Sequence, residues 1–269
     1  MAEHDRYISP FQTRYASREM QYIFSDDNKF RTWRKLWIAL AEAEQRQGLA
    51  ITDRQIAQLK AHAGDINYED AIRREKECRH DVMSHVYAYG LQCPEAKGII
   101  HLGATSCYVG DNTDVIVMRE ALQLVRKKLL GVLALLAKFA DEYKAMPCLA
   151  YTHGQPAQLT TVGKRATLWA NEFYMDLEEI DHRIATLALR GAKGTTGTQA
   201  SFMELFEGDE EKIKAMEADI TAAMGFDKVV PVSGQTYSRK VDAMVLNALA
   251  GIGQSAMKLA TDIRLLANF

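Results

Sequence analysis

The sequence predicts an all-α protein built around long helices. Apolar residues recur every three or four positions in three long stretches, at residues 113–143, 159–189 and 237–269. The 269 residues include only five prolines, and the segments between them are rich in Ala, Leu, Glu, Lys and Arg. The long stretches carry more than one apolar row, which is typical of helices in a bundle. Three such helices cannot cover all of these rows among themselves, so we expect partner chains.

Shorter helices are predicted in the first part of the chain, where capping residues mark their starts. Ser25 precedes two acidic residues and a segment with helical spacing, Thr52 opens a capping box, and Asn67 precedes a charged helix. The sequence therefore divides into a small N-terminal helical domain, residues 1–111, and a long-helix domain, residues 112–269.

Composition and charge exclude several classes of protein. The chain is 48% hydrophobic and 25% charged, which is ordinary for a soluble globular protein. A net charge of −2 gives no electrostatic reason to expect nucleic acid or a membrane surface as a partner. No apolar run is long enough to cross a membrane, and the N-terminus does not resemble a signal peptide. The four cysteines lie far apart without metal-like spacing, which favours reduced thiols and a cytoplasmic location.

A polar junction at residues 151–158 separates the first two long stretches. His153 lies in this junction, and Gly154 and Pro156 restrict the backbone beside it. Histidine can take up or release a proton near neutral pH, so a ligand at the mouth of a helical pair could use it. A turn histidine that caps a helix is the alternative interpretation.

Arg79, His80 and Asp81 form a second polar cluster. One interpretation is a salt-bridge cluster on the surface. The other is a site that handles an anion or a proton, in which Asp81 orients the His80 ring. His80 and His85 are five residues apart and do not share a helix face, so the spacing does not favour zinc.

Thr105 and Ser106 precede the first long helix, whose start we predict at Thr113. Backbone N–H groups near a helix start, together with hydroxyl groups, suit a carboxylate or a phosphate. Capping by Asp111, Asn112 and Thr113 would explain those three polar residues without a ligand. The sequence has no Walker or Rossmann glycine pattern, so a nucleotide-binding α/β domain is not predicted.

Two later segments break the helical periodicity. Residues 190–201 alternate glycine with lysine and threonine, and either a ligand loop or a plain linker would have this composition. Residues 232–240 form another polar cluster before the last long helix, and Gln235 lies within it.

The polar clusters and segments described above resemble those of the adenylosuccinate lyase family, in its eukaryotic type, within the fumarase/aspartase superfamily. The resemblance runs from about Arg14 to the last residue. Its most specific strings are Arg79-His80-Asp81, Gly98 to Thr113, Thr152-His153 with Gln155-Pro156-Ala157-Gln158, and Lys193 to Phe202.

The resemblance implies the superfamily's central helical bundle and a β-elimination without cofactor or metal. A C–N bond of a succinylated purine nucleotide, or of the succinylated carboxamide ribotide of purine synthesis, breaks and fumarate leaves. The products are then AMP or the carboxamide ribotide AICAR. It also implies a homotetramer in which several subunits build each active site.

Matching positions carry the family's roles onto this chain. His153 matches the general acid, and His80, the second catalytic candidate, matches a motif that binds and orients substrate with Arg79 and Asp81. The other substrate-binding positions that match are Arg14 and Tyr15 near the phosphate, Thr105 and Ser106 at the succinyl carboxylates, Thr152 in the same region, and Gln235.

The sequence also departs from the family. The serine general base lies on a signature loop, Ser-Ser-x-Met-Pro-x-Lys-x-Asn, that should follow the third long helix and is absent from these 269 residues. We therefore expect a chain truncated before that loop. The alternatives are a non-catalytic subunit that associates with full-length enzyme, and an argininosuccinate- or aspartate-type lyase.

Overall fold

The computed structural model describes residues 7–268 and is mostly helical, which confirms the predicted fold class. By their contacts the residues form two compact units. Unit 1 is Met1–Met118 with Ala188–Ser238, and unit 2 is Arg119–Leu187 with Arg239–Phe269. Within residues 7–268, no helix is both long and apolar enough to cross a membrane.

Unit 1 consists of short and medium helices. After a π-helical turn at Phe11–Tyr15, they are α1 (Arg18–Ile23), α2 (Asp26–Arg46), α3 (Asp53–Ala61), α4 (Tyr68–Cys78), α5 (Asp81–Gln92), the start of α6 (Ser106–Glu142), α8 (Ala200–Leu205) and α9 (Glu210–Ala223). The predicted caps form: Ser25 caps α2, Thr52 and Gln55 make a capping box on α3, and Asn67 caps α4. Each cap satisfies backbone donors that the first helical turn leaves free.

The core of unit 1 is built on α2. Trp33, Leu36, Trp37 and Leu40 are at most 1% exposed, and the two indole rings meet edge to face with centroids 6.1 Å apart. Burial of each large apolar side chain contributes about 2–3 kcal/mol. α9 packs against α2, and Arg46 Nε donates to Asp219 Oδ2 at 2.7 Å.

This packing differs from the domain division drawn from the sequence. That division has one boundary, between residues 111 and 112, whereas contacts group residues 188–238 with the first 118 residues. Contacts between residues so distant along the chain leave no local signal in a sequence.

α6 begins at Ser106, before the start predicted at Thr113. Asp111, Asn112 and Thr113 therefore lie in its second turn, where all three are buried. The helix start predicted at Thr113 is therefore wrong, and the alternative interpretation of these three residues as caps is excluded. The 37 residues of α6 span roughly 56 Å at about 1.5 Å per residue.

Unit 2 contains the rest of α6, a hairpin of β1 (Pro147–Thr152) and β2 (Gln155–Thr161), α7 (Val162–Thr186) and α10 (Lys240–Leu266). A small core of Leu129, Phe173 and Leu177 joins its helices. Trp169 Nε1 donates to Asp262 Oδ2 at 2.8 Å, which links α7 to α10.

The hairpin replaces part of a predicted helix. Leu159 was expected to begin the second long helix, but it lies in β2, and α7 starts at Val162 with Thr161 as its N-cap. The strands are antiparallel, with Pro147 opposite Thr161 and a bulge between Leu149 and Tyr151. Cross-strand pairing therefore overrides the apolar spacing that suggested a helix.

Candidate active site

The turn between α4 and α5 presents His80. Arg79 adopts a left-handed conformation (φ 51°) at the end of α4, and its side chain is exposed. His80 is the N-cap of α5, and its Nδ1 accepts a hydrogen bond from the Met83 N–H at 3.3 Å. An Nδ1 that accepts a hydrogen bond is unprotonated, so the neutral ring carries its proton on Nε2.

His80 Nε2 reaches Ser106 in the first turn of α6. The distance from Nε2 to Ser106 Oγ is 3.2 Å, so the Nε2–H group donates to the hydroxyl oxygen. The structure thus brings together two residues of the predicted site that are 26 positions apart in the chain.

The start of α6 offers further groups to an anion. Thr105 Oγ1 is buried and has no hydrogen-bond partner within residues 7–268, so the hydrogen-bonding capacity of this hydroxyl is unfilled. The N-terminus of a long helix also carries partial positive charge and directs N–H groups outward. A carboxylate near Ser106 would therefore meet a hydroxyl, the His80 imidazole and the helix dipole.

Asp81 differs from its expected role. Its Oδ1 accepts from the Val82 N–H at 2.8 Å and lies 3.8 Å from His80 Nδ1, beyond hydrogen-bond distance. The backbone N–H of Met83 therefore orients the ring, and Asp81 contributes negative charge beside it. Within residues 7–268, no group of three or more His, Cys, Asp or Glu side chains is arranged to hold a metal ion.

His101 is a site residue that the sequence analysis did not single out. Trp37 Nε1 donates to His101 Nδ1 at 2.9 Å, which places the proton of the neutral ring on Nε2. Burial, with a smaller contribution from nearby His80, lowers the pKa of His101 to about 4. His101 is therefore a neutral N–H donor near His80 at physiological pH. Its position in the Ile99–Ser106 string was a signal, but its partner lies 64 residues away.

Gln235 and residues 190–201 lie in the same unit as His80. Gln235 is exposed between Gly234, also exposed, and Tyr237, which is buried. Residues 189–193 are buried, and the threonines at 195, 196 and 198 are exposed. The buried half excludes a plain linker, because a linker has no tertiary contacts of this extent.

Arg14 and Tyr15 lie at the exposed end of unit 1. Both belong to the π-helical turn, and the Tyr15 ring contacts Phe11 with centroids 6.0 Å apart. Within residues 7–268, neither side chain makes a hydrogen bond or an ion pair. The structure of the chain does not join them to His80.

Thr152 and His153 belong to unit 2. Thr152 ends β1, and His153 and Gly154 form the two-residue turn of the hairpin, with φ values of 56° and 71°. Two positive φ values are what a type I′ hairpin turn requires, and histidine tolerates them better than most residues. His153 is exposed at the tip of the hairpin that connects α6 to α7.

The fold, with its long helices, is shared with solved proteins. A solved 3-carboxy-cis,cis-muconate lactonizing enzyme from Pseudomonas putida matches with a TM-score of 0.81 at 22% identity, over 95% of this chain and 57% of that one. A fumarate lyase from Mesorhizobium sp. BNC1 matches with a TM-score of 0.79 at 23% identity, over 94% of this chain and 58% of the other. These likenesses establish the fold.

Residues 14–268 match the family model described as Lyase, so the chain belongs to this lyase family. The adenylosuccinate lyases of Saccharomyces cerevisiae and Schizosaccharomyces pombe are each 52% identical to it over 271 aligned residues. The alignment covers 100% of this chain and 56% of each relative. The chain thus spans a little over half the length of these curated relatives.

Proposed function

We propose that the chain supplies part of an adenylosuccinate lyase active site. The reaction is β-elimination of fumarate from adenylosuccinate, giving AMP, and from the succinylated carboxamide ribotide, giving AICAR, in purine nucleotide synthesis. The observation that carries the proposal is the contact of His80 with Ser106 beside the unpartnered Thr105 hydroxyl, in a chain 52% identical to adenylosuccinate lyases.

The residues divide between anchoring the substrate and moving a proton. Thr105, Ser106 and His80 would hold a succinyl carboxylate at the start of α6, where developing negative charge meets N–H and O–H donors. His101 adds a neutral donor in the same region. Arg79, Asp81 and Gln235 would complete the contacts to the substrate, and Arg14 and Tyr15 would lie at its phosphate.

His153 is proposed as the general acid that protonates the departing nitrogen. An exposed imidazole on a tight turn is accessible to a substrate, and its backbone is restrained by the strand pairs on both sides. Thr152 precedes it and lines the same region. No metal or organic cofactor enters this reaction.

The protein is proposed to act in the cytoplasm as a homotetramer with shared active sites. All four cysteines are free thiols, which agrees with a reducing compartment. Unit 2 exposes large apolar side chains on its helices, as a subunit of a bundle would; among them are Leu135, Leu246 and Met257, which are 64–74% exposed.

Complementation tests this proposal. The S. cerevisiae relative is inactivated at the residue aligned with His153 and mixed with the chain, so that turnover requires the histidine of the chain. We expect fumarate release from adenylosuccinate, with competition by AMP. Release from argininosuccinate or aspartate without competition by AMP would favour a different lyase, and no release in any mixture counts against the proposal.

The exposed apolar surface of unit 2 also favours a second candidate, a non-catalytic subunit that associates with full-length enzyme. Size-exclusion chromatography with and without the S. cerevisiae relative, combined with the turnover assay, separates the two. A mixed complex without turnover supports the second candidate, and a chain that remains separate excludes it.

A further inference from the structure

Two neighbouring side chains of α6 form hydrogen bonds with two backbone segments of unit 1. Asp111 Oδ2 accepts a hydrogen bond from the Tyr237 N–H at 2.7 Å. Asn112 binds both backbone groups of Gly191: its Oδ1 accepts from the N–H at 3.1 Å, and its Nδ2 donates to the carbonyl at 3.2 Å. One helical turn therefore fixes a point in each segment.

Arg190 joins the same two segments to each other. Its guanidinium is fully buried, and Nη2 donates to the Gly194 carbonyl at 2.8 Å and to the Gly234 carbonyl at 3.5 Å. Nε and Nη1 are buried without a hydrogen-bond partner within residues 7–268. A buried guanidinium whose closest partners are carbonyl oxygens is costly, and a hydrophobic side chain would stabilise the core more simply.

A second buried pair supports the first segment from α9. Lys193 Nζ donates to the Arg190 carbonyl at 2.9 Å and lies 3.2 Å from Glu217 Oε1, which also accepts from the Ala192 N–H at 3.0 Å. Gly191 has a φ of 81°, which favours glycine, and a Cβ there would lie 2.3 Å from Glu217 Oε1, so the Glu217 side chain would have to move.

The two segments also touch directly. A Cβ at Gly197 would lie 1.8 Å from the Ser233 carbonyl oxygen, and Gly197 has a φ of 78°. Any other residue at this position would push the segments apart. Residues 190–199 and 233–237 therefore form one interlocked pair, which we call the paired segments.

The exposed residue at the centre of this network is Gln235. Its neighbour Gly234 is bound by Arg190, and Tyr237, two positions later, is bound by Asp111. Arg190 and Asp111 therefore hydrogen-bond to backbone groups on either side of the exposed Gln235 side chain. The hydrogen bonds at Gly234 and Tyr237 restrict the backbone that carries Gln235.

We propose that Asp111 and Arg190 are positioning residues that hold Gln235 in place for the ligand of this site. This inference rests on the function proposed above, because the ligand of Gln235 is taken to be the succinylated nucleotide. Asp111 and Arg190 themselves do not touch the substrate. They act by fixing the backbone of the paired segments.

Hydrogen exchange, measured without a ligand, tests whether Asp111 and Arg190 hold the backbone of the paired segments. In Asp111→Asn, amide protection should fall about 10- to 100-fold at residues 233–238, because one charge-assisted hydrogen bond is weakened, and should be retained in α2 and α9. Asp227→Asn is the matched control: Asp227 is an exposed carboxylate of the same unit with no hydrogen bond or ion pair within residues 7–268. Unchanged protection at 233–238, or a loss that spreads through α2 and α9, would overturn the proposal.

A double-mutant cycle in the complementation assay tests whether Asp111 affects substrate binding through Gln235. Asp111→Asn should raise KM about 10-fold or more and change kcat less, and adding it to Gln235→Ala should cause little further change. Independent, multiplying effects of the two substitutions would overturn the assignment.

Arg190→Lys serves as a milder second variant, which keeps the buried charge and one donor. It should retain part of the protection at 233–238, and Arg190→Met should lose it. Equal protection in both variants would exclude a positioning role for Arg190. A wild-type mixture without turnover would refute the proposed function and the ligand role of Gln235, whereas the exchange measurement separately decides whether Asp111 and Arg190 hold the segment.

Discussion

The two units use the same helical periodicity and reach opposite degrees of burial. Unit 1 buries Trp33, Trp37 and Tyr89 almost completely and encloses charged side chains such as Arg190. Unit 2 has a small buried core, and Leu135 and Met257 on its long helices are 70% and 74% exposed. An apolar row on a helix therefore shows that a face will be covered, but not by which part of the molecule.

The two units also differ in how they position their candidate site residues. In unit 1, the groups around His80 are arranged by long-range packing: α2 fixes His101, and α6 brings Ser106 to His80. In unit 2, a local hairpin fixes His153, whose side chain adds nothing to a core. Substitutions of buried residues in unit 1 should therefore lower the free energy of unfolding. Substitutions at the His153 turn should change only the rate of the reaction.

The largest expected effect is on catalysis at that turn. His153→Gln should lower fumarate release in the complementation assay by about 100- to 10,000-fold, because the departing nitrogen loses its acid. The free energy of unfolding should change by less than about 1 kcal/mol, since the side chain is exposed. His153→Asn is the backbone control, because asparagine tolerates positive φ and cannot act as the acid. Retention of most of the rate in either variant would show that His153 is not the acid, and unfolding of both would contradict the small expected change in stability.

A pair of leucine substitutions sharpens the contrast in burial. Leu40→Ala in α2 should lower the free energy of unfolding by about 2–5 kcal/mol, because Leu40 is 0% exposed. Leu135→Ala in α6 should change it by about 0.5 kcal/mol or less in the isolated chain, where Leu135 is 70% exposed. Urea unfolding of both variants measures these values. Similar losses would mean that Leu135 is covered in solution, as a partner chain would cover it.

Two buried histidines make the stability of unit 1 depend on pH. Burial lowers the pKa of His85 and of His101 to about 4, against about 6.5 in the unfolded chain. Between these values the unfolded state binds protons that the folded state does not, so stability rises with pH and is lost as pH falls from about 6.5 towards 4. The loss should reach a few kcal/mol, as an order of magnitude.

Unfolding followed by the fluorescence of Trp33 and Trp37, in a Trp169→Phe background, measures this dependence for unit 1. His85→Gln should reduce the slope between pH 4 and about 6.5, since one of the two histidine contributions is removed. A slope equal to that of the parent chain would contradict the assignment to His85.

A smaller pH-dependent effect is expected at a buried carboxyl of the same unit. Glu44 is fully buried in α2, neither carboxyl oxygen has a hydrogen-bond partner within residues 7–268, and burial raises its pKa to about 9. Between about pH 4.5 and 9 the folded state retains a proton that the unfolded state releases, so this carboxyl destabilises the fold increasingly as pH rises. Glu44→Gln should therefore increase the free energy of unfolding by about 1–3 kcal/mol at pH 8, and by much less near pH 5. Glu42→Gln, at a partly exposed position that pairs with Lys60, is the control and should give no such gain.

Local signals predicted the helices well and the turns poorly. Ser25, Thr52 and Asn67 cap helices as expected, because a cap depends only on residues within one turn. Asp111 and Asn112 have the same cap-forming chemistry but lie inside α6 and bind distant backbone groups. The sequence could not separate these cases, since the partners of Asp111 and Asn112 are 126 and 79 residues away.

By itself, the sequence determined the all-α class and most helix boundaries, because periodicity and capping act over a few residues. The candidate residues of the site came from the resemblance of its polar strings to a known family. Only the tertiary structure decided which candidates meet. It brought His80 to Ser106, assigned His101 its tautomer through Trp37, and placed His153 on the turn of a hairpin. The physical reason is that hydrogen bonds and burial between distant residues depend on how helices pack, and packing depends on the whole chain at once.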